Sequence, residues 1–468
     1  MNRSSRLRRV FAGAFVLTAG LMGLASADTR TDPVATPSPA STEIAPPLHE
    51  EIARRASALT AKVIAWRRDI HAHPELGNRE QRTAAKVIAH LRALKLDVRT
   101  GVAGTGVIGV LTGGMSGPAV ALRADMDALP VEEPTTLPFA SKAKGVYLGK
   151  QVAVMHACGH DAHTAMLMAV AEILAGLRAN LPGTVVFLFQ PAEEGPSDFE
   201  PDGRRFWGAR QMVAEGALAR PRPEAVFGLH VWAGVPSGTL SYRTGPTMAS
   251  SDELRIRVTG RQTHCALPWK GVDPITIAAQ AILGLQTVVS RQADLTASPA
   301  VISIGTIEGG TRLNIIPGEV GMTGTVRAFD PAVRQTLHEG IRRSTSHIAE
   351  SGGASAEVSI LEKYHSTVND GALLARMEPT LRWAADGHIA EAPLVMASED
   401  FSFYAREVPG LFVFLGITPA DQDMARAAPN HNPGFYVDEA ALTIGVRALA
   451  GLAADYLYVR REVPATKP

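Results

Sequence analysis

Hydrophobic and polar positions follow two rhythms in the first half of the chain. Short, continuous apolar runs at 107–111, 119–122, 184–189 and 225–229 are typical of buried strands. Apolar residues at helical spacing predict helices over 48–70, 81–94 and 165–177. Apolar strands that alternate with helices, with polar residues at their carboxyl ends, indicate an α/β sheet covered by helices on both faces.

The rhythm changes after about residue 247. Strands are predicted at 252–260, 301–308, 319–329 and 356–361, and helices at 273–291 and 331–351. This β-α-β-β-α-β order matches the split ferredoxin-like unit. The first pattern returns at 373–384, 411–415 and 440–457. The sequence therefore predicts an outer α/β domain in two parts, 48–246 and 364–468, with a ferredoxin-like domain inserted at 247–363.

The N-terminus has the pattern of a targeting segment. Four arginines within the first nine residues precede a nearly uncharged run, 10–24, and Ala25-Ser26-Ala27 offers a small-x-small cleavage site. The run is shorter than the ~20 residues of a membrane-spanning helix, although a short anchor is the alternative. We predict a signal peptide over 1–27, cleaved after Ala27, and a flexible leader over 28–47. The mature protein is then periplasmic or secreted.

Length and charge narrow the classes of function. A chain of 468 residues is too long for one compact core, which favours two domains. Lys+Arg and Asp+Glu balance at 46 each, so no overall field recruits nucleic acid or an anionic membrane. We expect no nucleic-acid partner, and no membrane partner after signal cleavage.

Two short segments carry the chemistry. Cys158 and His160 lie one residue apart in a histidine-rich run, and Glu193 and Glu194 follow the apolar strand 184–189. Thiolate and imidazole beside carboxylate are typical ligands of a catalytic transition-metal site. Two adjacent glutamates also allow one to bind metal while the other moves protons.

More ligands are available than one ion needs. His230 follows the strand 225–229, and His431 lies in an Asn-His-Asn-Pro-Gly segment. With Cys158, His160 and Glu194 they make five candidates, which exceeds one tetrahedral zinc with an open position. The excess favours two cations ~3.5–4 Å apart, bridged by the thiolate and a water.

Other readings stay open for several of these residues. Cys158 and Cys265 are the two cysteines and could form a disulfide in an oxidising compartment. His71 and His73 sit at a helix break and are more typical of capping or packing residues. His163 is expected to pack beside the site rather than to serve as a sixth ligand.

Six ordered motifs together resemble the metal-dependent N-acyl-amino-acid amidohydrolases, the aminoacylase/carboxypeptidase relatives that include hippurate and auxin-conjugate hydrolases. The resemblance covers about residues 50–460 and implies a metallopeptidase-like catalytic domain with an inserted lid. The motifs are DIHAHPELG at 69–77, RADMDALP at 123–130, HACGHD at 156–161, PAEEG at 191–195, GLHVW at 228–232 and HNPGF at 431–435.

The resemblance assigns roles to individual residues. It implies two divalent ions, manganese or zinc with cobalt as a further candidate, held by the five ligands with Cys158 bridging. Glu193 would be the general base and Asp125 an orienting carboxylate. In the lid, His264 would stabilise the oxyanion; in some relatives the corresponding histidine reaches the active site of the partner subunit. Asn314 and Arg327 would bind the substrate's carboxylate end. The lid is often a dimerisation surface, so a homodimer is one expectation.

Two features depart from the family pattern. Residues 196–207 form a polar and aromatic insertion after the glutamate pair, and Cys265 stands beside His264 where a small residue is usual. The insertion could alter substrate access, and Cys265 leaves a redox or extra-metal role open.

The sequence thus predicts an exported dinuclear-metal hydrolase that cleaves the amide bond of N-acyl-amino acids or releases the C-terminal residue of short peptides. The nearer alternative is a metallo-dipeptidase on the same fold. The alternative from another class is a periplasmic metal or solute carrier without catalysis, which has no need of Glu193.

Overall fold

The computed structural model describes residues 48–462, and side chains as far as residue 459. The predicted signal peptide and leader lie outside the described residues. The helices are α1 (His49–Ala72), α2 (Gln81–Ala93), α3 (His160–Gly176), α4 (Gly208–Ala214), α5 (Pro274–Gln292), α6 (Pro331–Ser351), α7 (Gly371–Ala384), α8 (Ser402–Ala405) and α9 (Leu442–Glu462).

The strands are β1 (Asp97–Val102), β2 (Gly106–Thr112), β3 (Met115–Asp125), β4 (Lys144–Tyr147), β5 (Lys150–Ala153), β6 (Pro182–Gln190), β7 (Val226–Pro236), β8 (Leu240–Tyr242), β9 (Gly245–Met248), β10 (Ser251–Thr259), β11 (Thr263–His264), β12 (Ala300–Glu308), β13 (Ile315–Ile316), β14 (Glu319–Ala328), β15 (Ser355–Tyr364), β16 (Thr367–Asn369), β17 (Ile389–Glu391) and β18 (Gly410–Thr418).

A mixed sheet of eight strands forms the centre of the larger unit. Its order is β1-β2-β6-β3-β7-β18-β8-β17. The middle strands β6, β3, β7 and β18 are parallel. β1 and β2 pair antiparallel to their neighbours, and β8 is antiparallel to β18 but parallel to β17. Parallel strands buried on both faces require near-continuous apolar runs, which is the pattern that the sequence shows. The predicted α/β class is confirmed.

Helices cover both faces of this sheet. On one face α1, α3 and α9 pack over strand residues such as Leu122, Phe187 and Phe227. On the other face Phe401 and Phe412 belong to a second cluster beside α4 and α8. The segment Glu439–Val459 is long and apolar enough to span a membrane, but 78% of it is buried within the protein, as expected of a core helix.

A second sheet forms the inserted unit. It has the order β12-β14-β10-β15, with every neighbouring pair antiparallel. α5 and α6 pack on this sheet around their own apolar core. Both helices begin with an Asp-Pro pair, where Asp273 and Asp330 accept hydrogen bonds from the free N–H groups of the first turn.

The order of these elements is β-α-β-β-α-β, with the short strands β11 and β13 added. The four-stranded sheet runs from Ser251 to Tyr364, close to the predicted limits 247–363. Those limits themselves stay a prediction.

One strand differs from its prediction in a way that affects the site. The apolar run 225–229 was expected to end at His230, but β7 continues to Pro236. The reason is pairing, because His230 and Val231 lie opposite Phe414 and Leu415 of β18. His230 therefore projects from inside a strand and not from a loop.

Candidate metal centre

Neighbouring parallel strands bring polar residues to one edge of the large sheet. β3 ends at Asp125 and β6 ends at Gln190, and these two residues are register partners. β7, which carries His230, pairs with the other side of β3. Since parallel strands end at the same edge, the segments that follow β3 and β6 meet there.

A glycine shapes the turn that carries Cys158 and His160. Gly159 has a φ of +99°, in the left-handed region, and α3 begins at the next residue. A Cβ at this position would lie only 2.2 Å from Cγ2 of Val231. Both the backbone conformation and the close approach of β7 therefore require glycine here.

The five predicted ligands form two groups that share the Cys158 thiol. Within each group the donor atoms lie within 4.8 Å of one another. In the first, Cys158 meets His160 and His230, with 3.4 Å between Sγ and Nε2 of His230. In the second, Cys158 meets Glu194 and His431, whose Nε2 lies 2.9 Å from Oε1 of Glu194. The fold thus collects ligands from four separate segments.

These residues fit divalent metal ions. Nε2 of His160 is buried and has no hydrogen-bond partner within residues 48–462, which costs free energy unless another group binds it. Hydrogen bonds to Cys158 and Glu194 raise the pKa of His431 to about 11, which reflects the negative charge gathered here. One thiol, three imidazoles and one carboxylate are a donor set that zinc, cobalt or manganese accepts.

The thiol of Cys158 is not part of a disulfide. Both cysteines are free: Cys158 is buried, whereas Cys265 is exposed in the inserted unit. The structure therefore shows no Cys158–Cys265 disulfide within its described residues, and it places Cys265 outside both donor groups.

The loop that carries Glu193 and Glu194 is held on one side by Asp127. Its two carboxylate oxygens accept hydrogen bonds from the N–H groups of Glu193 (3.0 Å) and Glu194 (2.9 Å). Oδ1 of Asp127 also lies 3.2 Å from Nδ1 of His160. One buried carboxylate thus orients a predicted ligand and both predicted active glutamates, a role the sequence prediction did not give it.

The carboxyl group of Glu193 is in an environment that disfavours its charge. Burial, together with the carboxylates of Glu399, Glu194 and Asp400, raises the pKa of Glu193 well above its usual range. Burial acts in the same direction on Glu194, but the hydrogen bond and charge of His431 lower the pKa of Glu194 overall. The two neighbours are therefore electrostatically distinct, because the surroundings favour the protonated form of Glu193 and the anionic form of Glu194.

A buried arginine balances the carboxylates behind the loop. Arg123 forms ion pairs with Asp125 (2.7 Å), Glu399 (2.8 Å) and Asp400 (3.0 Å). Sequence reasoning missed Glu399 and Asp400. The available signal was Arg123 itself, because a charged residue at the end of a buried strand needs carboxylate partners.

Asp125 lies where a carboxylate can orient histidines. Its Oδ1 is 2.6 Å from Nδ1 of His163, and its Oδ2 is 3.7 Å from Nε2 of His160. The other nitrogen of His163 accepts the N–H of Val231 at 2.8 Å. With both nitrogens engaged, His163 sits beside the donor groups as a fixed imidazole, in agreement with its predicted place.

The histidines of the first helix lie apart from the donor groups. His71 is buried against Asp161 (2.8 Å) and Glu133 (3.2 Å), whereas the side chain of His73 is exposed. Burial lowers the pKa of His71, but the Asp161 carboxylate outweighs this and raises it overall. His71 is thus a paired packing residue.

The segment around His431 is tied to the Cys158 turn. The N–H of His431 donates to the carbonyl of Ala157 at 2.7 Å, and Nδ2 of Asn430 donates to the carbonyl of Cys158 at 3.1 Å. His431 adopts a φ of +71°, which is unusual for a residue with a side chain. These bonds hold the strained His431 against a turn that lies more than 270 positions earlier in the sequence. The sequence did not predict a role for Asn430.

The three predicted lid residues differ in their distance from the centre. His264, on β11, is exposed, and Asn314, which precedes β13, is half-buried; neither lines the cavity at the donor groups. Arg327, on β14, donates from Nη1 to Oγ of Ser398 at 2.8 Å, and Ser398 lines that cavity. The structure therefore brings Arg327 to the rim of the site but not His264 or Asn314.

The cavity at the donor groups has a volume of about 330 Å³. Its wall combines the ligands with apolar side chains, which were not predicted: Trp232, Met248, Val395 and Ala397. Nearby, the ammonium of Lys363 lies 5.9 Å from the ring centre of Trp207 and 6.0 Å from that of Tyr364. The site thus offers an apolar wall, a guanidinium bonded to Ser398 of that wall, an ammonium that interacts with the charges of Glu193 and Glu194, and a cluster of candidate metal ligands.

An α/β sheet with a thiol, imidazoles and paired glutamates at its carboxyl edge defines a metallohydrolase. Residues 121–455 match the model of Peptidase family M20/M25/M40. The chain is 39% identical over 403 residues to the N-acetylcysteine deacetylase of Bacillus subtilis, covering 86% of this chain and 98% of that protein. It is 39% identical over 396 residues to thermostable carboxypeptidase 1 of Saccharolobus solfataricus, covering 84% and 95%.

A solved structure agrees with these relatives. The chain superimposes with a TM-score of 0.70 on a dinuclear metal binding peptidase from the M20 family of Bacillus subtilis, at 36% identity, covering 86% of this chain and 99% of that one. The chain belongs to the M20 peptidase family, which confirms the resemblance found in its motifs. It is a metal-dependent hydrolase acting on carbon–nitrogen amide bonds.

Proposed function

We propose that this protein is an exported amidohydrolase that holds two divalent ions and releases amino acids from N-acyl-amino acids. The observation that carries the proposal is the Cys158 thiol shared by two donor groups, with the buried carboxyl of Glu193 beside them. A shared thiol suits a pair of cations, and a free carboxyl suits a proton carrier.

The metal ligands would be Cys158, His160, Glu194, His230 and His431. When bound, the ions would polarise the scissile carbonyl and lower the pKa of the attacking water. The rest of the chemistry belongs to the chain. Glu193 would accept the proton of the water and pass it to the leaving amine, as its position at the donor groups and its disfavoured charge allow.

The cavity wall supports the proposed substrate class. Trp232, Met248 and Val395 offer apolar surface to an acyl group, while Arg327 and Lys363 place positive charge at the rim for a carboxylate. In an N-acyl-amino acid the amide lies between the acyl group and the carboxylate. The acyl group would therefore contact the apolar wall, and the carboxylate would contact the cations.

His264 takes no step in this arrangement because it is exposed and does not line the cavity. The oxyanion role that the resemblance implies would need closure of the inserted unit or a second subunit. A homodimer through this unit therefore stays a prediction, as does the role of Asn314.

Amine release from a panel of substrates tests the proposal. Metal-reconstituted protein should hydrolyse N-acetyl- and N-benzoyl-amino acids with a higher kcat/KM than dipeptides of the same C-terminal residue. The reverse order would favour the metallo-dipeptidase alternative, and no turnover of any amide would favour the carrier.

Glu193→Gln separates catalysis from binding. The variant should lose about 10²–10⁴-fold in kcat while it keeps the metal content of the wild type, because a neutral amide cannot accept the proton. Cys158→Ala is the matched change among the ligands and should lose metal as well as turnover. Equal metal loss in both variants would contradict the division between Glu193 and the ligands.

Export is proposed from the N-terminal pattern alone. Expression of the full chain in a bacterial host, followed by cell fractionation and N-terminal sequencing, should find the mature protein in the periplasm or medium, beginning at Asp28. A chain that keeps Met1 in the cytoplasm would contradict this part of the proposal.

A further inference from the structure

We propose that Tyr364 and Trp207 act together as positioning residues that fix the peptide carbonyl of Glu193. The inference rests on the proposed role of Glu193 as the proton carrier. It also gives a function to the insertion 196–207, of which Trp207 is the last residue.

The hydroxyl of Tyr364 connects the insertion to the glutamate loop. It donates a hydrogen bond to the backbone carbonyl of Glu193 at 2.6 Å. It accepts one from Nε1 of Trp207 at 3.1 Å. The indole N–H therefore leaves the hydroxyl proton free to point at the carbonyl, which fixes the direction of the donated bond.

These contacts are shielded from water. Trp207 and Tyr364 are 9% and 7% exposed, and they form a small apolar cluster with Ala192, the residue that precedes Glu193. Phe199 of the same insertion and Phe403 pack against this cluster. A hydrogen bond in such a dry setting is stronger than at the surface, and loss of its donor leaves a buried carbonyl unpaired.

The glutamate loop needs external support because its backbone is strained. Ala192 has a φ of +50°, a left-handed conformation that disfavours residues with a side chain. Hydrogen bonds hold the loop from three directions. Glu80 accepts the N–H of Ala192 (2.8 Å), and Asp127 accepts those of Glu193 and Glu194. Within residues 48–462, the donor to the Glu193 carbonyl is the hydroxyl of Tyr364. Without Tyr364 the peptide of Glu193 is held on its N–H side only.

The position of Tyr364 in the fold gives this bond a second consequence. Tyr364 is the last residue of β15, so it ends the four-stranded sheet of the inserted unit. Its partner in β10 is Ser251, the first residue of that strand, and the register shifts there. The inserted sheet therefore sets the position of the Tyr364 hydroxyl, and that hydroxyl in turn holds the peptide of Glu193.

Tyr364→Phe removes the hydroxyl and little else. We expect kcat for an N-acyl-amino acid to fall about ten- to a hundredfold, since a small displacement of a reacting group costs rates of this order. KM and bound metal per chain should stay close to wild-type values, and Tm should fall by only a few degrees, the cost of one unpaired buried carbonyl. Tyr404→Phe is the matched control, because Tyr404 is also buried but its hydroxyl faces the sulfur of Met212.

Trp207→Phe tests the orienting N–H while leaving Tyr364 in place. It should lower kcat by a smaller factor, and the double variant should be no worse than Tyr364→Phe alone, because both act through one hydroxyl. Trp66→Phe controls for the loss of an indole, because Trp66 is half-buried against the main core and does not line the cavity. If Tyr364→Phe does not fold, the fall in kcat of Trp207→Phe decides the question.

The outcomes distinguish this inference from the proposed function. An active wild type that depends on Glu193 but loses no kcat in either variant overturns the positioning role. Parallel loss of kcat, metal and Tm assigns the pair a purely structural role and also overturns it. A wild type without amide hydrolysis, or unaffected by Glu193→Gln, overturns the proposed function and the inference with it.

Discussion

Single residues at this site are chosen by backbone geometry as much as by chemistry. Gly159 separates two metal-ligand candidates, and its conformation and the close approach of Val231 both exclude a side chain. The candidate ligands could be selected from the sequence by their chemistry. The sequence could not show that glycine is required at position 159 more than at other glycine positions. The clash that excludes a side chain comes from β7, some 70 positions later in the sequence.

Replacement of Gly159 by alanine should therefore damage the site by two mechanisms. We expect loss of bound metal and a destabilisation of about 2–4 kcal/mol from strain and overpacking together. Gly149→Ala is the matched control, since Gly149 has a φ of +80° but no atom within 4 Å of the added Cβ. It should cost only about 1 kcal/mol and keep metal binding. Chemical denaturation and metal analysis measure both effects, and equal behaviour of the two variants would contradict the steric explanation.

Lys363 illustrates a residue whose importance comes only from its surroundings. Burial lowers the pKa of its ammonium, and the carboxylates of Glu253, Glu193 and Glu194 oppose that shift. Within residues 48–462, Lys363 forms no ion pair shorter than 4 Å. In the sequence it is one of nine lysines, and no motif marks it.

Lys363→Met should weaken substrate binding. We expect KM for N-acyl-amino acids to rise about threefold to tenfold with little change in kcat, since one charge at a partly buried rim contributes about 1 kcal/mol. Lys150→Met is the control, because Lys150 is exposed at the start of β5. Steady-state kinetics at constant ionic strength measure the difference, and a change in kcat alone would assign Lys363 to another role.

At the scale of elements, the inserted sheet is fastened to α6 by a buried ion-pair network. Asp252 of β10 accepts hydrogen bonds from Nε of Arg334 (3.0 Å) and contacts Nε2 of His338 (2.6 Å). Burial raises the pKa of Asp252, but these two partners outweigh it and lower the pKa overall. The amphipathic pattern predicted the strand and the helix, whereas the network depends on tertiary packing.

Asp252→Asn should destabilise the protein by about 3 kcal/mol at pH 7, because it takes the buried carboxylate from Arg334 and leaves that cation only its longer ion pair with the exposed Glu362 (3.4 Å). The folded pKa of Asp252 is depressed, so its contribution is present above the unfolded value of about 4 and is lost as pH falls through the folded pKa. Denaturation curves at pH 7 and below pH 4 should show the gap between variant and wild type narrowing in acid. Glu319→Gln, in an exposed pair with Arg257, should change stability by under about 0.5 kcal/mol at either pH.

For the whole molecule, the metal centre joins segments that are far apart in the chain. Its five candidate ligands lie between residues 158 and 431, and they come from the turn before α3, from α3 and β7, and from two further loops. Anything that binds this assembled arrangement but not the unfolded chain must stabilise the fold.

Chelation should therefore lower the Tm of the purified protein by about 5 °C or more, and zinc or manganese should restore it. Cys158→Ser removes the shared thiol, so its Tm should respond much less to the chelator. Scanning calorimetry with and without EDTA measures both responses. Equal shifts in wild type and variant would mean that the stabilising ions bind elsewhere.

The sequence by itself determined the class of fold, the order of the elements and the identity of the metal-ligand candidates. Apolar runs and helical spacing report burial locally, and thiol, imidazole and carboxylate groups report metal chemistry wherever they lie. The motifs also led to the correct family. The sequence did not predict where β7 ends, because that end depends on pairing with β18.

Only the tertiary structure decided which residues support the site. Asp127, Glu399, Asn430 and Tyr364 each reach it from a different segment, so no periodicity or local motif could assign them a partner. The same holds for His264, whose motif predicts a role but whose place in the inserted unit lies away from the cavity. Local patterns encode what a side chain can do, whereas the distances that let it act arise when distant segments pack together.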